Sequence, residues 1–446
     1  MSSPWRRTER AAPLSRDAKL IIAGQGVRAA GYGFTSVLLG VVLAARGYGP
    51  LAVGAVLTAL VAGTAVASLA VGAYADRIGR RRSYGIFFAG LAVAGLVVAA
   101  GAPLWLLLVV AITGTLSTDV VDNGPATTLE QSMLAAEDAG TAAVYGRYNM
   151  IGAAAGALGA LAVTLPGLAH GGSAARDGWL FAVLVPVGLA GMAIAWRLSP
   201  EVDTQGPQAG GTNAGSWYAW ARSARPGLGR SRSVVRMMAG LFAIDSGAGG
   251  LVTTGFLAYY FTERYHVTVA ALGWLFFAVS AVQAVSMALA PLLARRFGLI
   301  ATMVGTHLPS NVLLAAVAFA PSFPAAAALL LARTTLSQMD VPTRQALVMT
   351  VVQPDERTAA AAVTNAARYT VRPIGPLVAG AVQQVALGAP LLLAGAIKAG
   401  YDLCLWGWTR RLPLTSAESA DAAARELRDQ DEPHAPAGPP DRVGRR

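Results

Sequence analysis

Charge, lysine, cysteine and histidine are all scarce in this chain, and each shortage excludes a class of protein. Asp, Glu, Lys and Arg make up 13% of its 446 residues, whereas soluble globular chains carry about 25%, so water is not the solvent of most of its surface. A single cysteine, Cys404, cannot close an internal disulfide or supply a cysteine metal cluster; packing in the last helix is expected of it. The four histidines, His170, His266, His307 and His434, are scattered without metal or nucleophile spacing, which argues against a membrane-embedded enzyme. No Gly-rich phosphate loop ending in Lys-Ser/Thr occurs, so ATP is not the expected energy source. Lysine is present only as Lys19 and Lys398, while Ala, Gly and Arg abound, a bias that reads as a GC-rich bacterial genome.

What is abundant is apolar sequence. Hydrophobic residues reach 54% and the mean hydropathy is +0.51. A net charge of +11 could suggest nucleic acid, but the arginines cluster in short segments between long apolar runs and form no basic stripe with interleaved aromatics. No nucleic-acid partner is expected; lipid and a small solute are. A spanning helix needs about 20 apolar residues, and this ruler predicts twelve spans near 18–44, 50–73, 83–101, 104–130, 142–168, 179–197, 237–262, 269–293, 298–320, 324–352, 358–387 and 389–409. The basic N-terminus before Leu20 resembles a signal peptide, yet the following apolar run is too long and lacks a cleavage pattern, so it is expected to stay as the first helix. The expected organisation is a cytoplasmic tail over 1–17, a six-helix half over 18–198, a cytoplasmic linker over 199–236, a second half over 237–410 and a disordered cytoplasmic tail over 411–446.

Basic residues are few in the odd-to-even links and concentrated in the even-to-odd links and the two ends, which places both termini in the cytoplasm. The link between spans 2 and 3 reads Gly72-Ala73-Tyr74-Ala75-Asp76-Arg77-Ile78-Gly79-Arg80-Arg81-Arg82. Gly72 permits close helix approach, Asp76 can face a helix N-terminus, and Gly79 suits a tight turn. With these residues the chain resembles the major facilitator superfamily, whose signature in this loop is a Gly, then Asp-Arg, then Gly-Arg-Arg. The resemblance implies an all-α membrane protein of twelve transmembrane helices in two six-helix halves, alternating access, and a role for Gly72, Asp76, Arg77, Gly79, Arg80 and Arg81 in a cytoplasmic latch that holds the halves together in the outward-open state. The second half keeps only Arg295-Arg296 and Gly298, so the latch is expected to be asymmetric. Glu130-Gln131 with Arg147-Tyr148, and Arg344-Gln345 with Arg368-Tyr369, suggest that spans 4–5 and 10–11 are counterparts.

Ionisable groups within apolar spans are costly against lipid and mark cavities or helix contacts. Spans 1, 4, 7 and 10 carry them, as Arg28, Asp119 with Asp122, Asp245, and Arg333 with Asp340; the resemblance implies that these spans line a central cavity while 3, 6, 9 and 12 face lipid. The exception is span 12, where Lys398 and Asp402, one turn apart, are expected to form a local ion pair. Asp119 and Asp122 share a face near mid-membrane and are the first candidates for proton coupling; Asp245 and Asp340 are the second. Partnership with Arg28 or Arg147 would instead give the first pair a structural role. Arg28 and Arg333 are the candidate substrate contacts, because a guanidinium fork suits carboxylate or phosphate, with Tyr32 and Gln283 beside them and Tyr259 and Tyr260 as possible stacking or packing groups. Glu130, Arg147, Arg344, Arg368 and Arg372, together with Glu137, Asp355 and Glu356, are expected to form a cytoplasmic gate.

The drug exporters of this family usually have an arginine in the middle of span 4 and a Gly-Pro signature in span 5. Here span 4 has aspartates, span 5 reads Gly152 to Gly159 without proline, and Gly375-Pro376 lies in span 11. The expected function is secondary active transport of a small solute, coupled to protons and needing no cofactor or metal beyond the proton gradient, by a monomer in a bacterial inner membrane. Efflux of a drug-like compound or metabolite is placed ahead of uptake of an organic anion or other nutrient, and both ahead of an enzyme or non-transporting sensor.

Overall fold

The computed structural model describes residues 14–117, 124–134, 141–165, 176–204, 229, 231–353 and 356–410, and all regular structure among them is helical. The chain divides into two compact units, 1–406 and 407–446; of the second, only the last turn of the final helix and Arg410 are described. Gly and Pro punctuation sets the helix limits. In the first half these are α1 (Arg16–Ala45), α2 (Pro50–Ile78), α3 (Arg80–Ala99), α4 in two arms (Leu104–Ile112 and Pro125–Leu134), α5 (Thr141–Ala162) and α6, a 3-10 stretch Arg176–Val183 continued by Leu184–Arg197. A short helical turn, Glu201–Thr204, follows. The second half comprises α7 (Arg232–Gly250 and Thr254–Tyr265), α8 (Val269–Phe297), α9 (Leu299–Val317), α10 (Phe323–Ser337 and Asp340–Val351), α11 (Arg357–Val371 and Ile374–Gln383) and α12 (Ala389–Thr409). Among the described residues seven helical stretches, with Arg232–Tyr265 taken as one, are long and apolar enough to cross a membrane; the broken helices make up the other spans.

Local chemistry explains the ends and breaks. Ser15 caps α1 by accepting from the Ala18 N–H, and Thr268 caps α8 by accepting from Ala271, each relieving an N–H without a helical partner. Gly79 and Gly298 occupy the same place in the two halves, ending α2 and α8 with φ of 96° and 86°, a backbone that side chains with a Cβ rarely adopt. Pro373 has no N–H to continue α11. Two boundaries differ from the sequence reading. Span 4 breaks after Ile112, where the α2 backbone at Gly63 touches it. Helix α7 begins at Arg232, inside the expected linker, where Glu356 accepts from the Gly229 and Ser231 N–H groups just before it at 2.5 and 3.0 Å and fixes the chain's entry.

Within the halves, α1 packs on α5, α3 on α6, the first arm of α7 on the first arm of α11, and α9 on α10. Between them, α1 meets the second arm of α7, α2 meets the second arm of α11, and α5 meets α8. These junctions lie at the end of the bundle away from the α2–α3 turn. There the backbones of α2 and α11 nearly touch: a Cβ on Gly54 would lie 2.5 Å from the Pro376 carbonyl oxygen, and one on Gly380 2.5 Å from that of Pro50. At the other end, the second arms of α4 and α10 and the first arm of α11 pack against helices of their own half. Among the described residues, the extensive packing between the halves thus lies at the end away from the α2–α3 turn.

Candidate functional site

Two buried polar clusters stand out, one in each half. In the first, the Glu130 carboxylate on α4 is wholly buried and receives three side chains from three other helices. Arg28 Nη2 on α1 pairs with Oε2 at 2.9 Å, Tyr148 on α5 donates to Oε2 at 2.5 Å, and Tyr84 on α3 donates to Oε1 at 2.6 Å. Arg28 also donates to Thr127 Oγ1 at 3.0 Å and to Gln25 one turn back on its own helix. The Tyr32 ring lies 5.3 Å from the guanidinium carbon, with its hydroxyl donated to the Thr115 carbonyl. A carboxylate with this many donors has its charge compensated in place, so the cluster ties α1, α3, α4 and α5 into one body.

The second cluster draws on α7, α9, α10 and α12. Asp245 on α7 accepts from Lys398 Nζ of α12 at 2.5 Å and lies 3.6 Å from Arg344 Nη1 of α10. Arg344 Nη1 also pairs with Asp340, one turn back, at 2.6 Å. His307 on α9 links this to a third carboxylate: its Nδ1 is 2.8 Å from Asp402 Oδ1, its Nε2 is 4.0 Å from Asp245 Oδ1, and Asn311 donates to Asp402 Oδ2 at 2.9 Å. Nδ1 thus faces Asp402 and, at 3.2 Å, the Asn311 amide nitrogen, while Nε2 faces Asp245. Tyr401 stacks edge-on to His307, and Phe242 underlies Arg344. All seven polar members are buried. Their regularity comes from helix geometry: Asp340 and Arg344, His307 and Asn311, and Lys398 and Asp402 are each four apart, so each helix presents two polar groups on one face.

Several sequence expectations are corrected by this geometry. Lys398 and Asp402 do not pair with each other, because α12 packs so that Lys398 reaches α7 and Asp402 reaches α9. Helices α9 and α12 are thus not purely lipid-facing. Arg28 and Tyr32 are not open to a solute; both are buried and engaged with Glu130 and Thr115. Glu130 pairs with Arg28 rather than Arg147, which is exposed, and Arg344 pairs with aspartates rather than gate glutamates. Glu356 accepts from main-chain N–H groups at the start of α7. Cys404 is exposed on α12. Gln283 donates to Gln338 at 3.0 Å. Asp119, Asp122, Glu137, Asp355 and the Asp76 side chain lie outside the described residues.

Of the α2–α3 loop, Gly72 and Arg77 are exposed and Arg80 is buried. Arg80 reaches the Ser132 carbonyl at 3.3 Å, Arg81 reaches the Leu198 carbonyl at 3.1 Å, and Asp203 accepts from the Arg81 N–H at 2.9 Å. These contacts remain within the first half. Asp203 thereby caps α3 from outside, in place of the side chain that Gly79 lacks. Arg372 and Arg368 are half-buried on α11, as is Arg333 on α10. Sequence reasoning missed Tyr84, His307, Asn311 and Asp402 as cluster members; the polar pairs four apart in apolar helices were the available signal.

The family model described as Major Facilitator Superfamily matches residues 21–409. Among curated proteins, the chain is 26% identical over 392 residues to the uncharacterized membrane protein YJR124C of Saccharomyces cerevisiae, covering 82% of this chain and 88% of that one. Among solved structures, the nucleoside transporter NupG aligns with a TM-score of 0.67 at 15% identity, over 88% of this chain and 98% of the other. The D-xylose-proton symporter aligns with a TM-score of 0.64 at 16% identity, over 90% and 98%. At these identities the structural likeness speaks for the fold.

Proposed function

Because this chain belongs to the major facilitator superfamily, we propose that it is a secondary transporter whose solute movement is coupled to protons through the α7–α9–α10–α12 cluster. One observation carries the coupling. Within contact distance the cluster holds three carboxylates, Asp245, Asp340 and Asp402, against two permanent cations, Arg344 and Lys398, and one imidazole. It reaches neutrality by taking one proton, and His307 Nε2, facing Asp245 across 4.0 Å, is the place for it. Histidine is the side chain that most readily exchanges a proton near neutral pH, and a buried uncompensated charge is costly, so loading and release of that proton shift the balance of forces on four helices. Arg333 and Arg368 are the further charged groups that act on Asp245.

Asp119 and Asp122 are proposed as a second proton site, on the sequence alone. We place the protein, as a monomer, in a bacterial plasma membrane with both termini cytoplasmic, on the arginine bias of its links. The test is solute-dependent proton movement in proteoliposomes containing a pH-sensitive dye, with sugars, nucleosides, organic anions and lipophilic cations supplied in turn. His307→Gln should abolish pH-driven uphill transport and keep solute exchange; uphill transport that survives the substitution would overturn the assignment, and the Asp119→Asn/Asp122→Asn variant tests the second site in the same way. Direction is read in oriented vesicles. Efflux, the sequence expectation, predicts accumulation in inverted vesicles; uptake, the arrangement a symporter uses, predicts it in right-side-out ones.

A further inference from the structure

Two guanidinium groups that feel the charge of Asp245 have no contact partner among the described residues. Arg333 on α10 and Arg368 on α11 make no hydrogen bond or ion pair with any described residue, and the Nε of each is buried without a partner. Both residues are half-buried, and their terminal nitrogens also have no partner among the described residues. An unpaired guanidinium in a membrane protein is expensive and is kept where something binds it. Arg333 and Ser337 share a face of the first arm of α10, and Asp340 and Arg344 share a face of the second, each pair four residues apart. Ser337 Oγ and Asp340 Oδ1, at the two sides of the break in α10, are also buried without partners. The helices are interrupted beside these residues, α10 at 338–339 and α11 at 372–373. Breaks of this kind are found where membrane helices line a binding site.

Charge supports an anion. With the proton on His307 the contact network is neutral, and Arg333 and Arg368 stand outside it as two further positive charges. Asp245, the carboxylate that acts on both, is already engaged by Lys398 and Arg344. We infer that Arg333 and Arg368 form the binding site for an anionic solute, whose carboxylate or phosphate group they hold from α10 and α11. This names the substrate class of the transporter proposed above and rests on that reading for its transport role, while the binding itself does not. Protonation of His307 weakens the field that Asp245 and its partners exert against an anion, so solute and proton favour each other's binding.

The test is thermal unfolding of the purified full chain in detergent with matched probes: benzoate against benzamide for a carboxylate, glycerol 3-phosphate against glycerol for a phosphate. The expected result is a rise in melting temperature of roughly 2–4 °C with an anion and none with its neutral partner, larger in acidic than in alkaline buffer, and lost in Arg333→Gln and Arg368→Gln. Without ligand, those variants should melt at the same temperature as the parent or higher, because each removes an unpaired buried charge. Ligand-free variants that melt several degrees lower would make the arginines counter-ions of Asp245 and overturn the inference, as would equal shifts with neutral partners or no shift of the parent protein with any anion. A response to one probe pair alone identifies the group recognised. Since melting reads binding without transport, a failed proton assay with a retained anion shift would remove the coupling and leave the site standing.

Discussion

At the scale of single residues, the two clusters differ in how fully their charges are matched. Glu130 has Arg28 and two tyrosine hydroxyls on its two oxygens, and its replacement strands a buried guanidinium. Glu130→Gln is therefore expected to cost about 3–5 kcal/mol, read as a lower melting temperature and poorer yield in detergent. The paired substitution Arg28→Met with Glu130→Leu should cost less than Glu130→Gln alone, since it leaves no charge behind; a double variant less stable than the single would show that the ion pair contributes net stability. Tyr84→Phe should cost about 1.5–3 kcal/mol, the range for a hydrogen bond to a charged acceptor, with no change in the pH dependence of transport. His307→Gln should behave in the opposite manner, with a small effect on melting and a large one on proton-driven accumulation.

At the scale of helices, function is built on interruptions. Helices α4, α7, α10 and α11 are each broken into two arms, and the second cluster sits where the first arm of α7 meets the second arm of α10. Glycines set how closely the halves meet at the far end. Because a Cβ on Gly54 or Gly380 would come within 2.5 Å of a main-chain carbonyl oxygen of the opposing helix, Gly54→Ala or Gly380→Ala forces α2 and α11 apart there. Either substitution should favour the conformation open at that end. Cysteines introduced near the junction in a Cys404→Ser background should then react faster with a membrane-impermeant thiol reagent added from that side; unchanged labelling would mean that the helices absorb the added carbon locally.

At the scale of the whole molecule, the extensive packing between the halves among the described residues lies at the end away from the α2–α3 turn. Alternating access requires that this arrangement exchange with its opposite. In this state Arg80 reaches the Ser132 carbonyl, Arg81 the Leu198 carbonyl, and Asp203 accepts from the Arg81 N–H, all three contacts lying within the first half. Asp203→Asn leaves an acceptor for the Arg81 N–H but removes the charge near the α3 N-terminus, a favourable term of about 0.3–1 kcal/mol. It should alter the proportion of the two conformations, measured by spin-label distances across the junction, without altering thermal stability much. The Glu356 contacts at Gly229 and Ser231 tie the start of α7 to the start of α11 in the same manner.

The sequence by itself determined the membrane class, the helix number and the family, because lipid imposes one ruler on span length and because the Gly72-to-Arg82 signature is local in the chain. It also marked Asp245, Asp340 and Arg344 as charges that need an explanation, since an ionisable residue in an apolar run is conspicuous without any structure. Pairing was decided only by the tertiary structure. Arg28 with Glu130 and His307 with Asp402 are separated by 102 and 95 residues, and helix spacing says which residues share a face but not which helix that face meets. Lys398 and Asp402 illustrate the limit: four apart, they can pair with each other, yet rotation of α12 against α7 and α9 gives each a partner on another helix. A charge buried in lipid must be matched by something; the chain supplies the charges, and packing selects the match.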